Sequence, residues 1–509
     1  MYGNITSNEL LQRLEKAVHS GNITEIVPED LELEAHSVLW RESDQGELTL
    51  LKMLPSVKAT SIQHEYSRVL SYGPGKGSGF FGERSLPAES NFAAQRVVNL
   101  IRLMGEIGPT FLLAALEKTQ RALGTAGAQN VERIALRRNV LRKKCRNLYA
   151  SDTSTTFGGV NSTRFKGIQQ LIREGTDGTN PGDPPAPYGT HIIDMLDQPL
   201  TIQNLRDRIG KGITLFGAFT SLITDPLVRG DLEASMDPAQ RLNLPIDARP
   251  FMLGQQIGGI QSQGSRVYFE TDNTLSPIWY RPQYDVALED GAPTTLPTVV
   301  SAAQADNATT DTTTSKWDAA SAGAIFYVVT EVVQEKEGLG TRSPAGAGTL
   351  AVLAGQEVEL TITPGNVLAD SFRVYRGEAT GGLLSTDAWF AFEVAGNHVG
   401  VVTAFDNNLR RPNTSEAYGL RVLSGSERAM HNGMVDAYWR AQDSSASFLS
   451  GNDKPGNTIA VAELGPSMGI MALASILAEV DRPLVYSACC PEVRNPRQNV
   501  VFTNIGLQT

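Results

Sequence analysis

The sequence predicts an α+β fold with a long all-β segment set into it, and three observations support that prediction. A basic amphipathic helix spans residues 130–150. A second helical pattern over 201–217 is followed by short apolar runs typical of buried strands. Between Pro293 and Asn413 helical spacing vanishes, and short strand patterns recur at the spacing of a β-sandwich.

The composition is that of a large, ordinary globular chain. Its 509 residues are 41% hydrophobic and 19% charged, which predicts about three domains and little disorder. The formal net charge of −11 argues against a protein that grips nucleic acid, because phosphate binding needs clustered Lys and Arg. The three cysteines, Cys145, Cys489 and Cys490, predict neither a disulfide framework nor a CxxC metal site, and they favour a reducing cytoplasm.

The N-terminal 60 residues have the pattern of an arm. Met1–Val18 shows helical apolar spacing interrupted by charges, without the apolar core of a signal peptide. An acidic link over Glu25–Glu34 and an apolar-rich segment over Val38–Val57 follow. Near the other end, Met468–Val480 is shorter than the about 20 residues of a bilayer span, so it predicts a buried helix.

Residues 61–105 predict a long hairpin with an exposed tip. Two strand patterns, Glu65–Val69 and Gln95–Leu103, flank the Gly-rich tip Ser71–Phe81. Lys76 in this tip lacks the G-x-x-x-x-G-K-[ST] spacing of a phosphate-binding loop. A mobile surface loop of a monomer is the alternative interpretation.

The helix over 130–150 has one apolar stripe, and its remaining surface is basic. At about 1.5 Å per residue it is about 30 Å long, and it carries no catalytic side chain. We expect one face to pack and the other to meet solvent or something negative. The predicted stripe comprises Val131, Ile134, Ala135, Leu141, Cys145, Leu148 and Tyr149, and the predicted outer surface Arg133, Arg137, Arg142, Lys143, Lys144 and Arg146.

No motif predicts a catalytic, cofactor-binding or metal site. His64-Glu65 lacks the second histidine of a zinc helix, and no G-x-S-x-G elbow is present. The sequence pairs none of the six histidines with a nucleophile, so we expect a structural protein rather than an enzyme, with no cofactor. Those histidines are His19, His36, His64, His191, His398 and His431.

Thr201 suits the N-cap of the second helix, and two buried strands are expected at Ser221–Thr224 and Val267–Phe269. Asp225-Pro226 is typical of a turn. The all-β segment resembles an immunoglobulin-like or fibronectin-type sandwich without a cysteine pair, and we expect an inserted domain with adjacent ends. Its five predicted strands are 324–333, 357–363, 371–376, 388–394 and 401–405.

The order of short segments along the chain resembles the major capsid proteins of tailed bacteriophages. A long helix, a Phe-Gly-Gly loop and a Phe-Lys-Gly-Ile segment follow one another, and further matches continue into the C-terminal tail. No single match is specific, so the resemblance rests on their order. The matching segments are 148–152, 157–159, 165–168, 193–194, 199–201, 215–218, 224–226, 240–245, 482–486 and 499–506.

The resemblance implies the Hong Kong 97-like fold. The hairpin would then be the extended loop that lies over a neighbouring subunit; whether Lys76 is cross-linked there stays open. The implied parts are an N-terminal arm (1–60), the extended loop (61–105), a peripheral domain with the spine helix (106–200), an axial domain (201–295 and 413–509) and an inserted immunoglobulin-like sandwich (296–412).

The implied function is self-assembly into an icosahedral head that encloses packaged DNA without sequence-specific binding. Copies of the chain in hexamers and pentamers would be the main partners, with decoration or minor capsid proteins and a portal beside them. Assembly would occur in the host cytoplasm, away from membranes, and the product would be the virion. Two alternatives remain: an encapsulin-like compartment, expected to lack the sandwich, and a virion or cell-surface adhesin, which would not explain the spine and tail.

Overall fold

The computed structural model shows a mixed architecture of helices and strands, as the sequence predicts. It describes residues 48–71, 93–107, 110–111, 128–151, 153, 164–176, 191–215, 219–235, 258–262, 265–275, 283–285, 292–305, 315–318, 321–333, 336–346, 348–366, 369–378, 387–396, 400–422, 458–473 and 480–506. Most of the predicted arm, the hairpin tip with Lys76, the Phe-Gly-Gly loop at 157–159 and four histidines lie outside these residues.

The helices are α1 (Thr49–Met53), α2 (Ala128–Ala150), α3 (Ile168–Glu174), α4 (Ile202–Leu215) and α5 (Pro226–Ala234). The strands are β1 (Ser56–Lys58), β2 (Gln63–Ser71), β3 (Ala93–Leu100), β4 (Arg102–Ile107), β5 (Thr110–Phe111), β6 (Ile192–Asp194), β7 (Ser221–Thr224), β8 (Gly259–Ser262), β9 (Ser265–Thr271), β10 (Thr298–Ala305), β11 (Gly323–Val333), β12 (Lys336–Ser343), β13 (Leu350–Val352), β14 (Gln356–Thr363), β15 (Ser371–Glu378), β16 (Trp389–Ala395), β17 (Val402–Asp406), β18 (Thr414–Leu420), β19 (Ile459–Glu463), β20 (Gly469–Leu473), β21 (Val480–Val493) and β22 (Val500–Gly506). None of the described helices is both long and apolar enough to cross a membrane.

The sheet that carries α2, here the spine sheet, is built around β21. This strand pairs antiparallel with β4, β5, β19 and β20, and β1 adds to β19 in parallel. Helix α2 packs across β21 and β4. The shared core is closed by fully buried side chains from the helix and the sheet, among them Leu148, Tyr149, Cys489 and Val493. The predicted spine helix is therefore present and packed.

A second sheet has the order β6-β22-β18-β7-β9-β8 and combines parallel with antiparallel pairs. Helices α4 and α5 cover it, with Leu205, Ile209 and Leu232 in its core. Thr201 caps α4 as predicted, since its Oγ1 accepts from the Asn204 N–H at 3.3 Å. Because β7 and β18 come from distant parts of the sequence, this sheet joins the two flanks of the all-β segment.

The all-β segment is a β-sandwich in the structure. One sheet has the order β10-β14-β17, the other β12-β11-β15-β16 with β13 beside β11. Alternate side chains from both sheets, such as Val358, Leu360, Val374 and Phe392, form one buried core. All five predicted strands are present within one or two residues of their predicted bounds, and β10, β12 and β13 were not predicted. The immunoglobulin-like classification and the domain boundaries stay predictions.

Strands β2 and β3 form the two-stranded antiparallel hairpin that the sequence predicts. Its register runs from Gln63 opposite Leu100 to Ser71 opposite Ala93. The Tyr66 hydroxyl accepts a hydrogen bond from the Val493 N–H at 3.2 Å, which ties the base of the hairpin to the end of β21. The hairpin thus starts from a fixed base on the spine sheet.

Three predictions are wrong in the described residues. The described part of Met468–Val480 is not helical, because Gly469–Leu473 forms β20, which pairs with β21 through a regular ladder, and Val480 begins β21. A short apolar run does not separate strand from helix by periodicity. Asp225-Pro226 does not form a turn but starts α5, where the Asp225 carboxylate accepts from the Leu227 N–H at 3.0 Å. Lys144, predicted on the outer surface, is only 1% exposed.

Candidate assembly framework and surface

A buried ion pair fastens α2 to the spine sheet. Lys144 Nζ lies 2.5 Å from Glu463 Oε1 and 3.3 Å from the Ser467 hydroxyl. Glu463 also accepts from Ser56 at 2.7 Å and from Ser467 at 2.8 Å, so its carboxylate joins the helix to β1, β19 and the β19–β20 connection. Burial alone would raise the pKa of Glu463, but these hydrogen bonds outweigh it and lower the pKa below its ordinary value.

The sequence contains a signal for this buried lysine. Val140 and Leu148, one helical turn to either side of Lys144, are 1% and 0% exposed, so positions spaced by four place all three on one face. Lys143, the next residue, pairs instead with Glu106 of β4 from a side chain that is 39% exposed. The basic composition of the helix predicts that all its lysines and arginines face solvent, but Lys144 is buried and Lys143 is partly exposed.

A second buried carboxylate, Asp272, connects three parts of the chain. Its Oδ2 accepts from the Leu50 N–H at 3.1 Å, from the Tyr149 hydroxyl at 3.0 Å and from the Cys145 thiol at 3.4 Å. Its Oδ1 accepts from the Thr274 N–H and hydroxyl at 2.9 and 2.7 Å. Asp272 is 0% exposed. The carboxylate therefore holds α1, the C-terminal half of α2 and the end of β9 together.

The groups around Asp272 are kept protonated. Burial, followed by the charge of Asp272, raises the pKa of the Cys145 thiol well above its ordinary value. The same two causes raise the pKa of the Tyr149 hydroxyl. Both side chains therefore act as hydrogen-bond donors to Asp272, and a thiol held in this form is a poor nucleophile.

The opposite face of the spine sheet is exposed and apolar. Met104 and Glu106 of β4 contact Asn147 and Lys143 of α2, so their alternate neighbours point away from the helix. Leu103 and Ile107 on that outer face are 66% and 51% exposed. Neighbouring strands extend this surface, here the outer apolar row, which comprises Leu103, Ile107, Met471, Leu484 and Tyr486.

Register and a glycine shape this row. Leu484 lies opposite both Ile107 and Met471, so the three side chains form a line across the sheet. Tyr486 lies opposite Gly469, where an added Cβ would come within 2.4 Å of the tyrosine ring. The absence of a side chain at Gly469 leaves space for this ring over the neighbouring strand. The result is an apolar row that crosses β4, β21 and β20.

The sandwich contacts the body of the protein near the end of α2. A cleft of ≈ 90 Å³ there is lined by Arg146 of α2, Phe390 and Ala391 of β16, and Arg410 and Arg411 before β18. Burial would raise the pKa of Glu393, also in β16, but the charge of Arg164, a hydrogen bond from the Ser371 hydroxyl and the charges of further arginines outweigh it and lower the pKa. Opposite charges thus face each other across this junction.

Inside the sandwich, a buried arginine connects its two sheets. Arg376 Nη1 lies 2.8 Å from Asp406 Oδ2, and its Nη2 donates to Asn408 Oδ1 at 2.8 Å. The Tyr327 hydroxyl donates to the same Asp406 carboxylate at 2.7 Å, and the Arg376 guanidinium lies over the Trp317 ring. Arg376 and Asp406 are each only 2% exposed. This network fixes β15 of one sheet against β17 of the other.

The described histidines do not form a catalytic constellation. His64 Nε2 lies 3.3 Å from Glu492, and Arg494 pairs with the same carboxylate. His191 is 7% exposed at the edge of the second sheet. Among the described residues, no group of three or more His, Cys, Asp or Glu side chains could hold a metal ion. His64, Glu492 and Arg494 thus form structural ion pairs.

His191 predicts a pH dependence of stability. Burial, followed by the charge of Arg208, lowers the pKa of His191 from 6.5 to about 4. Between those values the unfolded chain binds a proton that the folded chain does not. Stability therefore falls as pH drops from about 6.5 towards 4, by about 3 kcal/mol for this group, and is unaffected by it above that window.

The measurement is the unfolding free energy of the protein and of His191→Gln, each determined by denaturant titration between pH 4 and 8. The variant should lose less stability on acidification than the unaltered protein. Equal slopes in both proteins would show that His191 takes up its proton in the folded state.

Comparisons with known proteins show similarity in structure only. By sequence, the chain matches no family profile and no curated protein. The mature capsid of bacteriophage PhiM1 aligns with 94% of this chain and 91% of its own at 10% identity, with a TM-score of 0.37. For the holo-encapsulin complex of Synechococcus elongatus the shares are 97% and 96%, at 7% identity and a TM-score of 0.35. For the phage G major capsid and decoration proteins they are 95% and 98%, at 6% identity and 0.35.

Proposed function

We propose that this chain is the major capsid protein of a tailed bacteriophage, with the Hong Kong 97-like fold, and that it assembles into the icosahedral head around the packaged genome. One observation supports self-assembly above the others: the outer apolar row of the spine sheet. Leu103, Ile107 and Met471 are 66%, 51% and 49% exposed on a face that α2 does not cover. A second copy of the chain is the occupant we assign to it.

Further features support this assignment. The opposite face of the same sheet is fixed by Lys144 and Glu463, so the row is presented on a stiff support. The β2–β3 hairpin is anchored to the same sheet, because Tyr66 of β2 accepts a hydrogen bond from Val493 of β21. A rigid sheet with one covered and one apolar face suits a subunit that repeats the same contact many times. The ordered resemblance to phage shell proteins along the sequence supports the same function.

The finer parts of the proposal follow the resemblance. Copies of the chain form hexamers and pentamers, decoration or minor capsid proteins and a portal join them, and the shell encloses DNA without reading its sequence. Assembly takes place in the host cytoplasm, and the protein catalyses no reaction and holds no cofactor. The sandwich distinguishes the phage head from the encapsulin-like compartment, because a compartment subunit is expected to lack a β-sandwich of this size.

The test is the double variant Leu103→Lys/Ile107→Lys. Each lysine replaces a side chain whose burial between copies contributes about 1.5–3 kcal/mol, and the added like charges repel. We expect unchanged circular dichroism and soluble subunits, but few or no shells by electron microscopy and sedimentation velocity. Leu353→Lys is the matched control, because Leu353 is 64% exposed on the sandwich and lies outside the row.

Normal shells from Leu103→Lys/Ile107→Lys would remove the row from the assembly contacts. Monodisperse monomers of the unaltered protein under all conditions would contradict the proposed function itself. Shells that form equally well from the control and from the unaltered protein would show that an exposed lysine is not harmful by itself.

A further inference from the structure

We propose that the cleft between the β-sandwich and the body binds a small tetrahedral oxyanion, of which inorganic phosphate is the simplest. The cleft lies where three parts of the chain meet: α2, β16 of the sandwich, and the connection from β17 to β18. Binding there goes beyond the proposed function and does not depend on shell formation, since it can be measured on unassembled subunits. Three features support it: the charge of the lining, one buried guanidinium N–H, and the size of the cleft.

The lining of the cleft carries more positive than negative charge. Arg146 of α2 and Arg410 and Arg411 before β18 supply three guanidinium groups. Among the described lining residues they face one carboxylate, that of Glu416. This carboxylate accepts from the Tyr418 hydroxyl at 2.7 Å and lies 3.8 Å from Arg410. Three guanidinium groups against one carboxylate leave two positive charges in excess, which favours an anion.

The charges of Arg146 and Arg410 meet at the inner wall of the cleft. Burial, followed by the charge of Glu416, raises the pKa of Tyr418. The charges of Arg410 and Arg146 oppose that rise, so both groups lie near the same hydroxyl. Arg146 also acts on Glu393 of β16, on the sandwich side. A guanidinium has five N–H donors and can serve two acceptors, so binding an anion does not require either arginine to lose its present partner.

Arg411 has the weakest counter-charge of the three arginines. Its side chain is only 15% exposed, and its Nε is buried without a hydrogen-bond partner among the described residues. Its Nη2 lies 3.7 Å from Asp318, beyond hydrogen-bond distance, and Asp318 is 48% exposed. The charge of Arg411 also acts on Asp197, yet burial still raises the pKa of that carboxyl. An oxyanion would give the buried N–H an acceptor that carries a negative charge.

The size of the cleft selects the class of ligand. Its volume of ≈ 90 Å³ holds several water molecules or one tetrahedral oxyanion. Pockets that enclose a drug-sized molecule measure about 300–1,000 Å³, so a whole nucleotide does not fit inside this cleft. Water is the competing occupant, but it does not offset the excess positive charge. Forked guanidinium groups match the paired oxygens of phosphate, and we therefore favour the oxyanion.

A bound oxyanion would join the sandwich to the body. Arg146 belongs to α2 and Arg411 lies just before β18, while Phe390 and Ala391 of β16 form the sandwich side of the cleft. An anion held by both arginines would fix these elements against one another. Binding should then slow hydrogen exchange in β16 and at the start of β18.

The experiment titrates the full chain with inorganic phosphate by isothermal titration calorimetry, at constant ionic strength set by sodium chloride. We expect one phosphate bound per chain, and competition by sulfate. Arg411→Gln should weaken binding about tenfold or more, because it removes a charge-assisted hydrogen bond from a buried position. Arg146→Gln, on a different element, should also weaken binding. Arg266→Gln is the matched control and should leave the affinity unchanged, since Arg266 is exposed on β9 and does not line the cleft.

Hydrogen exchange with and without phosphate locates the site. Protection should appear at residues 390–391 and 414–416 and disappear in Arg411→Gln. No binding of phosphate, protection elsewhere only, or equal affinity of Arg411→Gln and the unaltered protein would each overturn the proposal. Protection of the cleft by a single-stranded DNA oligonucleotide but not by phosphate would assign it to nucleic acid and overturn the proposal as well. If Arg411→Gln misfolds, Arg146→Gln and the exchange pattern of the unaltered protein still decide the outcome.

Discussion

Lys144→Ala should unfold the protein at markedly lower denaturant concentration, with a loss of about 3–5 kcal/mol. The substitution leaves Glu463 with its charge in a site where its side chain is only 11% exposed. Ser56 and Ser467 still donate to the carboxylate, but two hydroxyl groups do not replace an ammonium ion. The penalty therefore comes from the stranded carboxylate rather than from the lost attraction.

Two comparisons isolate that cause in denaturant titrations. Lys143→Ala removes the neighbouring lysine from an ion pair that is partly exposed, and we expect a loss of at most about 1 kcal/mol. Lys144→Met combined with Glu463→Gln removes both charges and keeps an acceptor for Ser56 and Ser467. This double variant should be more stable than Lys144→Ala. If it is equally unstable, the lost attraction between the two groups, and not the stranded carboxylate, accounts for the penalty.

Asp272→Ala is expected to be the second severe substitution. It removes the acceptor of five hydrogen bonds and leaves donors from Leu50, Tyr149 and Thr274 buried without it. Each stranded donor costs about 1–3 kcal/mol unless water enters. We expect a total loss of several kcal/mol. Hydrogen exchange should also accelerate at Leu50 and along α1, because the carboxylate is the anchor of that short helix.

Tyr149→Phe is the matched control for Asp272→Ala. It removes one donor together with its need for a partner, so the loss should be about 1 kcal/mol. The stability loss of Asp272→Asn should lie between the losses of Asp272→Ala and Tyr149→Phe, since an amide oxygen can still accept from Leu50 and Tyr149. Protection of α1 that is unchanged in Asp272→Ala would show that apolar packing around Leu50 holds the helix.

Much of the fold could be predicted because its periodicity is local. The spine helix and α4 carry apolar residues at helical spacing, β14 alternates apolar with polar residues, and β11 is a continuous apolar run. β12 was missed because Gly338 and Gly340 interrupt its pattern. In the structure an added Cβ at Gly340 would come within 2.5 Å of Val328. Close approach between strands explains these glycines, and it depends on a partner that one strand's sequence does not contain.

The buried carboxylate contacts of Asp272 and Glu463 and the outer apolar row could be predicted less well than the fold. Asp272 and Glu463 are polar residues in short segments, and only the folded chain brings them to Tyr149 and Lys144. The outer apolar row combines residues from β4, β20 and β21, which no sequence window unites. The helix predicted over Met468–Val480 hid one contributor, Met471. Contacts between distant segments carry no local periodicity, so sequence patterns report them poorly.

The position of β21 and β22 has a consequence for the order of folding. These strands are translated after all their partners, and they pair with β4, β6, β18 and β19. Neither the spine sheet nor the second sheet can close before they emerge from the ribosome. Among the described residues, the sandwich strands form ladders with one another, and a single bridge from Trp389 to Gln283 leads outside the module. We therefore expect the sandwich to form first, while the apolar stripe of α2 is still exposed. During this interval the nascent chain is most exposed to aggregation, and chaperone binding should concentrate on the α2 segment.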